Sequence, residues 1–293
     1  MANTDQFERV YSLDITSVDG VQRSISGLKI VFDVTKTILS FPNLAKIDLY
    51  NANETTVALL QKKYTKVTLN AGYKGNVKLL FKGEIRNAFQ SRNPTDRITT
   101  VYAGDGQRDW ENTSFNRTYA QSVTIEQTVV DIMKSFQGLT IAQGATDVLP
   151  KTSDKLRGQM LSGASAALMD DLAKEYGFDW SIQDGEIVLT TDQNPIVGDA
   201  ATVINAATGM INSPTITVVG ANVTTLLNPD LVPNRAFQIT SVGADVQFGN
   251  LFFKTIPRTS AEGTYKIQEV NFKGDSRHGD WLCTVKGRTI NVN

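Results

Sequence analysis

Gly209-Met-Ile-Asn-Ser-Pro214, Leu226-Leu-Asn-Pro-Asp-Leu-Val-Pro233 and Gly274-Asp-Ser-Arg-His-Gly-Asp-Trp281 punctuate the stretch whose reading decides the fold. Each is turn chemistry set between strands. Pro214, Pro229 and Pro233 cannot donate to a sheet ladder, so they belong at strand starts, edges or turns. Between them, Thr215 to Val219, Ala236 to Thr240 and Tyr265 to Phe272 are β-rich runs. Together they predict a small closed or nearly closed antiparallel barrel.

Outward from that stretch, the period of the apolar residues changes twice. From Tyr11 to about Gly104 the pattern is mostly strand. Asp19-Gly20 is a hairpin signal between Leu13 to Val18 and Val21 to Ser26, and Gly27 precedes the run Leu28 to Val34. Ile47 and Leu49, then Val67, Leu69 and Ala71, then Val77, Leu79 and Phe81 alternate with polar residues as in a half-buried sheet. One short helix is expected over Asn53 to Tyr64, with Asn53 as cap and Val57, Leu60 and Tyr64 on one face.

The middle third is mixed. Thr124-Ile-Glu-Gln127 reads as a capping box, and Ile125, Val129, Ile132, Met133 and Phe136 trace a helical stripe that Gly138 ends. A second helix is expected from about Ser165 to Tyr176, with Leu168, Met169, Leu172 and Tyr176 inward and Gly177 as its cap. Phe178, Trp180 and Ile182 then alternate into Asp184-Gly185, and Ile187 and Leu189 alternate back. From about Asp199 to Asn293 strands return.

Composition sets bounds. At 293 residues the chain sits where single cores usually stop growing, so two or three domains are expected. Hydrophobic residues are 41% and charged ones 20%, the balance of a folded rather than disordered protein. A net charge of -1 offers no global attraction for nucleic acid or an acidic membrane. With one cysteine, Cys283, and one histidine, His278, neither an intrachain disulfide nor the usual Cys/His zinc site can be built from one subunit. Met1-Ala-Asn-Thr-Asp-Gln6 has no basic or apolar leader character, and no apolar run approaches a membrane span, so synthesis and solubility in a cytoplasm are expected.

The order GMINSP, LLNPDLVP and GTYKIQEVNFKGDSRHGDW resembles the C-terminal tube domain of bacteriophage baseplate hub proteins, the group of the T4-type hub and the phage tail protein D family. Type VI secretion spike proteins are more distant relatives. The resemblance covers the chain in outline, and its specific motifs lie in the final third. The strand, helix and strand order of the first third is similar to the family's first tube domain.

The fold class so implied is mainly β with an α+β insert. A first tube-like barrel over 1–108 and a second over 200–293 would flank a mixed α/β domain over 109–199. Gly209, Pro214, Asn228, Pro229, Pro233, Gly274, Asp275, Asp280 and Trp281 are then the residues of the family's structural motif. Family members often carry Gly where this chain has Asn234, which implies a less tight turn here. The implied role is a homotrimer with six-fold pseudosymmetry in the virion's tail baseplate, assembled in the host cytoplasm. It would join tail tube protein to spike protein, meet wedge or distal tail proteins, and pass DNA or tape-measure protein, with no membrane contact. A secretion-system spike adaptor and a cell-surface glycan-binding or hydrolytic tail module stand as alternatives.

No catalytic, cofactor or metal residue is expected. His278 lies in a turn beside Ser276, which would normally point elsewhere, so a polar hairpin tip is the better reading than a nucleophile and base. Cys283 shares a strand face with Trp281 and reads as a packed thiol. Asp170, Asp171 and Glu175 fall on the second helix, with Asp171 and Glu175 on a solvated face rather than in a glycosidase cleft. Asp105-Gly-Gln-Arg-Asp-Trp110-Glu111 lacks calcium-loop spacing and reads as a turn between domains. Gly104-Asp-Gly106 lacks a third glycine in register for a dinucleotide fingerprint, and there is no phosphate loop with a following Lys-Ser/Thr. Lys62, Lys63 and Lys66 read as a helix end satisfying free carbonyls, or as a charged collar against a neighbouring ring. Trp110, Trp180 and Trp281 read as core or domain-interface anchors rather than a stacking platform for nucleic acid.

Overall fold

The structure of the chain, a computed structural model, describes residues 8–152, 158–191, 200–217, 219–240, 243, 245–246 and 261–290. The first third supplies β1 (Arg9–Thr16), β2 (Gln22–Ile25), β3 (Ile30–Thr37), β4 (Leu44–Tyr50), α1 (Glu54–Leu60), β5 (Lys66–Tyr73), β6 (Asn76–Arg92) and β7 (Arg97–Gly104). The middle supplies α2 (Gln107–Asn112), β8 (Ser114–Tyr119), α3 (Ile125–Met133), β9 (Thr140–Ile141), β10 (Gln159–Ala164), α4 (Ser165–Tyr176), β11 (Asp179–Gln183) and β12 (Glu186–Thr190). The last third supplies β13 (Thr202–Ile204), β14 (Met210–Ile216), β15 (Gly220–Leu226), β16 (Ala236–Ile239), β17 (Asp245–Val246), β18 (Gly263–Asp275) and β19 (Trp281–Thr289). The expected boundary at residue 199, the leader reading of Met1 to Gln6 and the end of the last third at Asn293 lie outside the described residues.

The chain is mainly β, as expected, but among the described residues no barrel closes. Instead one 14-stranded sheet runs β17-β14-β15-β19-β18-β3-β4-β7-β6-β5-β1-β2, with β13 and β16 joined off that path. The join between the outer thirds is β3 against β18, antiparallel from Val31 opposite Asp275 to Thr37 opposite Glu269. Each third on its own would leave one of these strands with unpaired backbone groups, and pairing them satisfies both edges at once.

The apolar residues follow the same division. One cluster draws Phe32, Ile47 and Leu69 from the first third together with Val223, Phe237, Phe272 and Val285 from the last. A second is confined to the middle, with Val129, Ile132, Met169, Trp180 and Ile187 at its centre.

The second expected helix is α4, Ser165–Tyr176, capped by Gly177; Met169 and Leu172 are buried, and Leu168 and Tyr176 half-buried. The Thr124 box is present in both directions: its hydroxyl accepts the Gln127 N–H at 3.2 Å, and the Gln127 side chain accepts the Thr124 N–H. Thr124→Ala is expected to lower stability by about 1 kcal/mol, read as a shift of the urea midpoint at unchanged slope. An unmoved midpoint would mean that this cap does nothing for the fold. The helix ends at Met133, earlier than Gly138, and Phe136 is buried in the turn that follows.

The first expected helix also stops short, at Leu60, so Tyr64 is not on its buried face; it adopts φ 62° in the turn before β5. Lys62 therefore lies beyond the helix end and pairs with Asp19, Lys63 lies over the Tyr64 ring, and Lys66 opens β5. No basic residue occupies the last turn of α1, and the carbonyl-satisfying reading of these lysines is corrected. The alternation through Val77, Leu79 and Phe81 is broken by a bulge. Leu69 faces Phe81 and Asn70 faces Leu79, so Leu80 is the extra residue and is buried beside Phe81, while Val77 is exposed.

Candidate functional site

An antiparallel sheet can bury one face and leave the other to water. Across β15, β19, β18, β3, β4 and β7 the solvent-side residues form a connected polar surface. Asn271 donates to Asp33 at 2.6 Å and to Thr35 at 2.9 Å, Thr100 donates to Asp48 at 2.6 Å, and Thr224 and Thr284 share a hydrogen bond. Lys273 meets Asp33, Lys46 meets Asp48 and Lys286 meets Glu269. Each of these three cations thus has an anion on the same face. Exposed pairs of this type add little stability, but they leave the surface without a strong field of either sign. A groove of about 720 Å³ crosses the β4 end of this face, and its lining includes Leu44 and Tyr102 together with Asp33, Lys46, Lys63, Arg86 and Glu111.

Beside the groove, β6 outruns its partner. Its pairing with β5 ends at Glu84, whereas its pairing with β7 continues to Arg92. The edge from Arg86 to Arg92 is therefore open among the described residues. Phe89 on this arm is 46% exposed and stacks on Tyr102, ring centroids 6.1 Å apart.

The nine residues singled out in the last third lie in and beside its turns and strand ends. Gly209, at φ 97°, precedes β14, and its carbonyl accepts the Leu226 N–H at 2.8 Å. Pro214 is buried at the irregularity between β14 and β15, which needs no donor from it. The Asn228 side chain accepts the Asp230 N–H at 3.0 Å, and Pro229 and Pro233 are buried in the same turn. Asn234, at φ 70°, keeps the left-handed geometry that a glycine would have, so the turn is not relaxed; its side chain accepts from Thr190 and donates to Ser181.

Gly274 faces Trp281 across β18 and β19 and lies against the Phe32 ring; a Cβ there would come within 2.2 Å of Phe32 and 2.8 Å of Trp281. Asp275 accepts the backbone N–H groups of Arg277 and His278. Burial opposes its ionisation, but those two bonds and Lys29 outweigh it and hold the carboxyl below the usual range. Asp280 is exposed, and its carbonyl closes the turn by accepting the Asp275 N–H at 2.8 Å.

The middle unit docks on the buried side of the sheet through polar contacts that sequence reading missed. Lys36 continues the inward series Ile30, Phe32 and Val34, and its ammonium reaches Asp184 at 2.5 Å. Lys266, also buried, donates to the Thr190 hydroxyl and, at 2.6 Å, to the Thr191 carbonyl. Asn43 donates to the Ile182 carbonyl at 2.8 Å, and Gln183 donates to the Thr37 carbonyl at 2.7 Å. Both faces of the β11–β12 hairpin are consequently covered: Trp180 and Ile182 by helices, Ser181 and Gln183 by the sheet. The available signal was a charge at an apolar register, Lys36.

Asp105 lies in a turn, as read from the sequence, and is fully buried; the rest of that stretch, Gln107 to Glu111, is not turn but belongs to α2. It accepts the N–H groups of Asp184 and Gly185, and burial, with Asp184 beside it, pushes its carboxyl up to about 7. The Asp184-Gly185 turn has φ 55° and 91°, the positive pair a two-residue hairpin requires.

Among the described residues no group of three or more His, Cys, Asp or Glu could hold a metal ion. His278 is exposed, and Ser276 Oγ instead accepts the Ile30 N–H. Cys283 is buried, its thiol pushed up to about 12 by that burial, so little thiolate forms near neutrality. Asp171 and Glu175 are exposed, whereas Asp170 accepts the Trp180 indole N–H at 2.8 Å. Trp180 and Trp281 are buried core residues, and half-buried Trp110 packs on Phe41. Among the described residues, no helix is long and apolar enough to cross a membrane.

The family model described as Baseplate hub gp41 matches residues 26–287. Among solved structures, the 43 kDa tail protein of prophage MuSo2 from Shewanella oneidensis aligns with TM-score 0.62 at 10% identity, over 96% of this chain and 97% of that one. A tail protein from Neisseria meningitidis MC58 aligns with TM-score 0.60 at 7% identity, over 96% and 97%. The E. coli c3393 protein, described as a component of the type VI secretion system similar to T4 tail proteins gp27 and gp5, aligns with TM-score 0.59 at 12% identity, over 96% and 77%. At such identities the likeness is one of fold. No curated protein matches the chain significantly.

Proposed function

The chain belongs to the baseplate hub gp41 family, and from that premise we propose that it is a structural hub of a phage tail. Three copies form a ring that joins the tail tube to the central spike and lines the channel between them. The observation that carries this reading is the wide polar sheet face whose cations and anions pair with one another. A strongly basic lumen would retain DNA through phosphate contacts, whereas a self-neutralised one lets a polyanion or a tape-measure protein slide.

In this reading each outer third, 1–108 and 200–293, contributes one tube-like unit, so that three chains present six. Neighbouring copies close the ring that a single chain leaves open. The unpaired β6 edge with exposed Phe89 supports such closure, because pairing between copies would remove an aggregation hazard. The nine motif residues of the last third hold the turns of the second unit. The insert, 109–199, faces outward toward wedge or distal tail proteins, and the hub is assembled in the host cytoplasm and functions in the virion without catalysis.

Light scattering across a concentration series, followed by negative-stain imaging, tests the proposal. Three times the chain mass with a ring-shaped end view is expected, alone or after addition of the spike and tube partners. A monomer that persists with both partners present would rule the ring out. The type VI component among the structural relatives keeps a secretion-spike adaptor as the second reading. Selective binding of a secretion spike over a phage spike would favour it.

A further inference from the structure

The middle unit and the sheet have separate apolar clusters, so the seam between them can part without opening a shared core. Polar seams within a chain resemble transient interfaces, for which relative motion is the default. At the centre of this seam three ionic groups meet, Asp105 and Lys36 fully buried and Asp184 half-buried. Asp105, just before α2, holds the hairpin tip by accepting the Gly185 N–H at 2.9 Å and the Asp184 N–H. Lys36 of β3 meets Asp184 Oδ2, while Asp184 Oδ1 is buried without a hydrogen-bond partner. The charged groups that face Asp105 are Asp184 and Lys36; Lys82 of β6 lies close to Gly185, and the neighbouring α2 residue Gln107 is neutral. With both carboxylates ionised, two anions share one fully buried cation.

We propose that Asp105 is a proton-operated catch: its protonated form holds the middle unit against the sheet, and its ionisation loosens that unit while leaving both cores folded. The proton adds to the Asp105 carboxylate and leaves to solvent, with no other bond made or broken. Burial and Asp184 raise the carboxyl of the docked form to about 7 from an ordinary value of 3.8. A group raised in this way contributes its stabilisation fully below the ordinary value. That contribution is lost as pH climbs from there through the raised one, so alkalinity opens the catch and acid closes it.

Hydrogen exchange of the full-length protein between about pH 5 and pH 8, read by mass spectrometry, tests the catch. After correction for the chemical exchange rate, protection of the Asp184 and Gly185 amides is expected to fall at least about tenfold over that range. Protection in α3, inside the middle unit, is expected to stay constant. In Asp105→Asn the pH dependence at the hairpin tip is expected to vanish. Equal protection at both ends of the range in the wild type, a parallel loss in α3, or an unchanged pH dependence in the variant would each overturn the proposal. Should the variant not fold, the wild-type series decides alone.

Discussion

Replacing Lys36 with methionine is expected to lower stability at pH 7 by about 3 to 5 kcal/mol, because removing one partner of a buried ion pair strands the other. Lys36 is 1% exposed and is the cation that the buried Asp105 and the half-buried Asp184 share. Methionine keeps most of the aliphatic stem and its packing between β3 and the hairpin, so the loss reports charge rather than volume. Urea unfolding followed by tryptophan fluorescence would read it, since Trp180 lies in the middle cluster and Trp281 in the sheet cluster. The deficit should shrink as the pH is lowered to about 5, because protonation of Asp105 removes one of the stranded anions. A loss below about 1 kcal/mol would put this contact in the class of exposed pairs and contradict its role in the seam.

Trp281→Ala is expected to cost about 3 to 5 kcal/mol. The ring is 2% exposed, packs edge-on against Phe32 with centroids 5.3 Å apart, and carries the Arg9 guanidinium 5.7 Å from its own centroid. It fills the space that Gly274 leaves beside it, at the point where β18 and β19 meet β3. Few side chains there can collapse into the void, so the cost sits at the upper end for an aromatic truncation. Trp281→Phe keeps the edge contact and should cost less than half as much. Calorimetric unfolding of the two variants would rank them, and equal costs would mean that a phenyl ring restores none of the packing, so that the edge contact with Phe32 does not carry it.

Elements set by local rules were legible from sequence. Thr124 and Gln127 are three residues apart and can only serve one helix start, and Asp184-Gly185 between two alternating runs admits one tight turn. The partnership of the outer thirds was not legible. Alternation states which side chains of β3 and β18 face inward, but it does not state that Asp33 sits beside Asn271, 238 positions away. Two independent barrels and one continuous sheet carry the same alternation. The seam was hidden for a related reason. Ser181, Gln183 and Asn43 look like solvent-side residues until the second surface that covers them is known, and nothing in the sequence around Asp105, a turn residue in the structure too, announces that the hairpin tip donates to it. Lys36 alone broke phase, and a lysine among Ile30, Phe32 and Val34 marks a buried cation in need of an anion.

The pairing of β3 with β18 also governs how the chain can be made. At about 5 to 20 residues per second on the ribosome, the interval between completion of β3 and emergence of β18 is roughly 10 to 50 s. Throughout that interval the nascent first third carries a finished strand whose partner does not yet exist, and neighbouring ribosomes on one message hold identical unpaired edges close together. The middle third, with its own apolar cluster, can fold during the wait, so the chain matures from the inside out and closes its sheet last. Slowing translation after Thr37 would lengthen the exposure and favour edge-to-edge association of unfinished chains, whereas a holdase that covers β3 until Gly263 emerges would raise the yield of soluble protein.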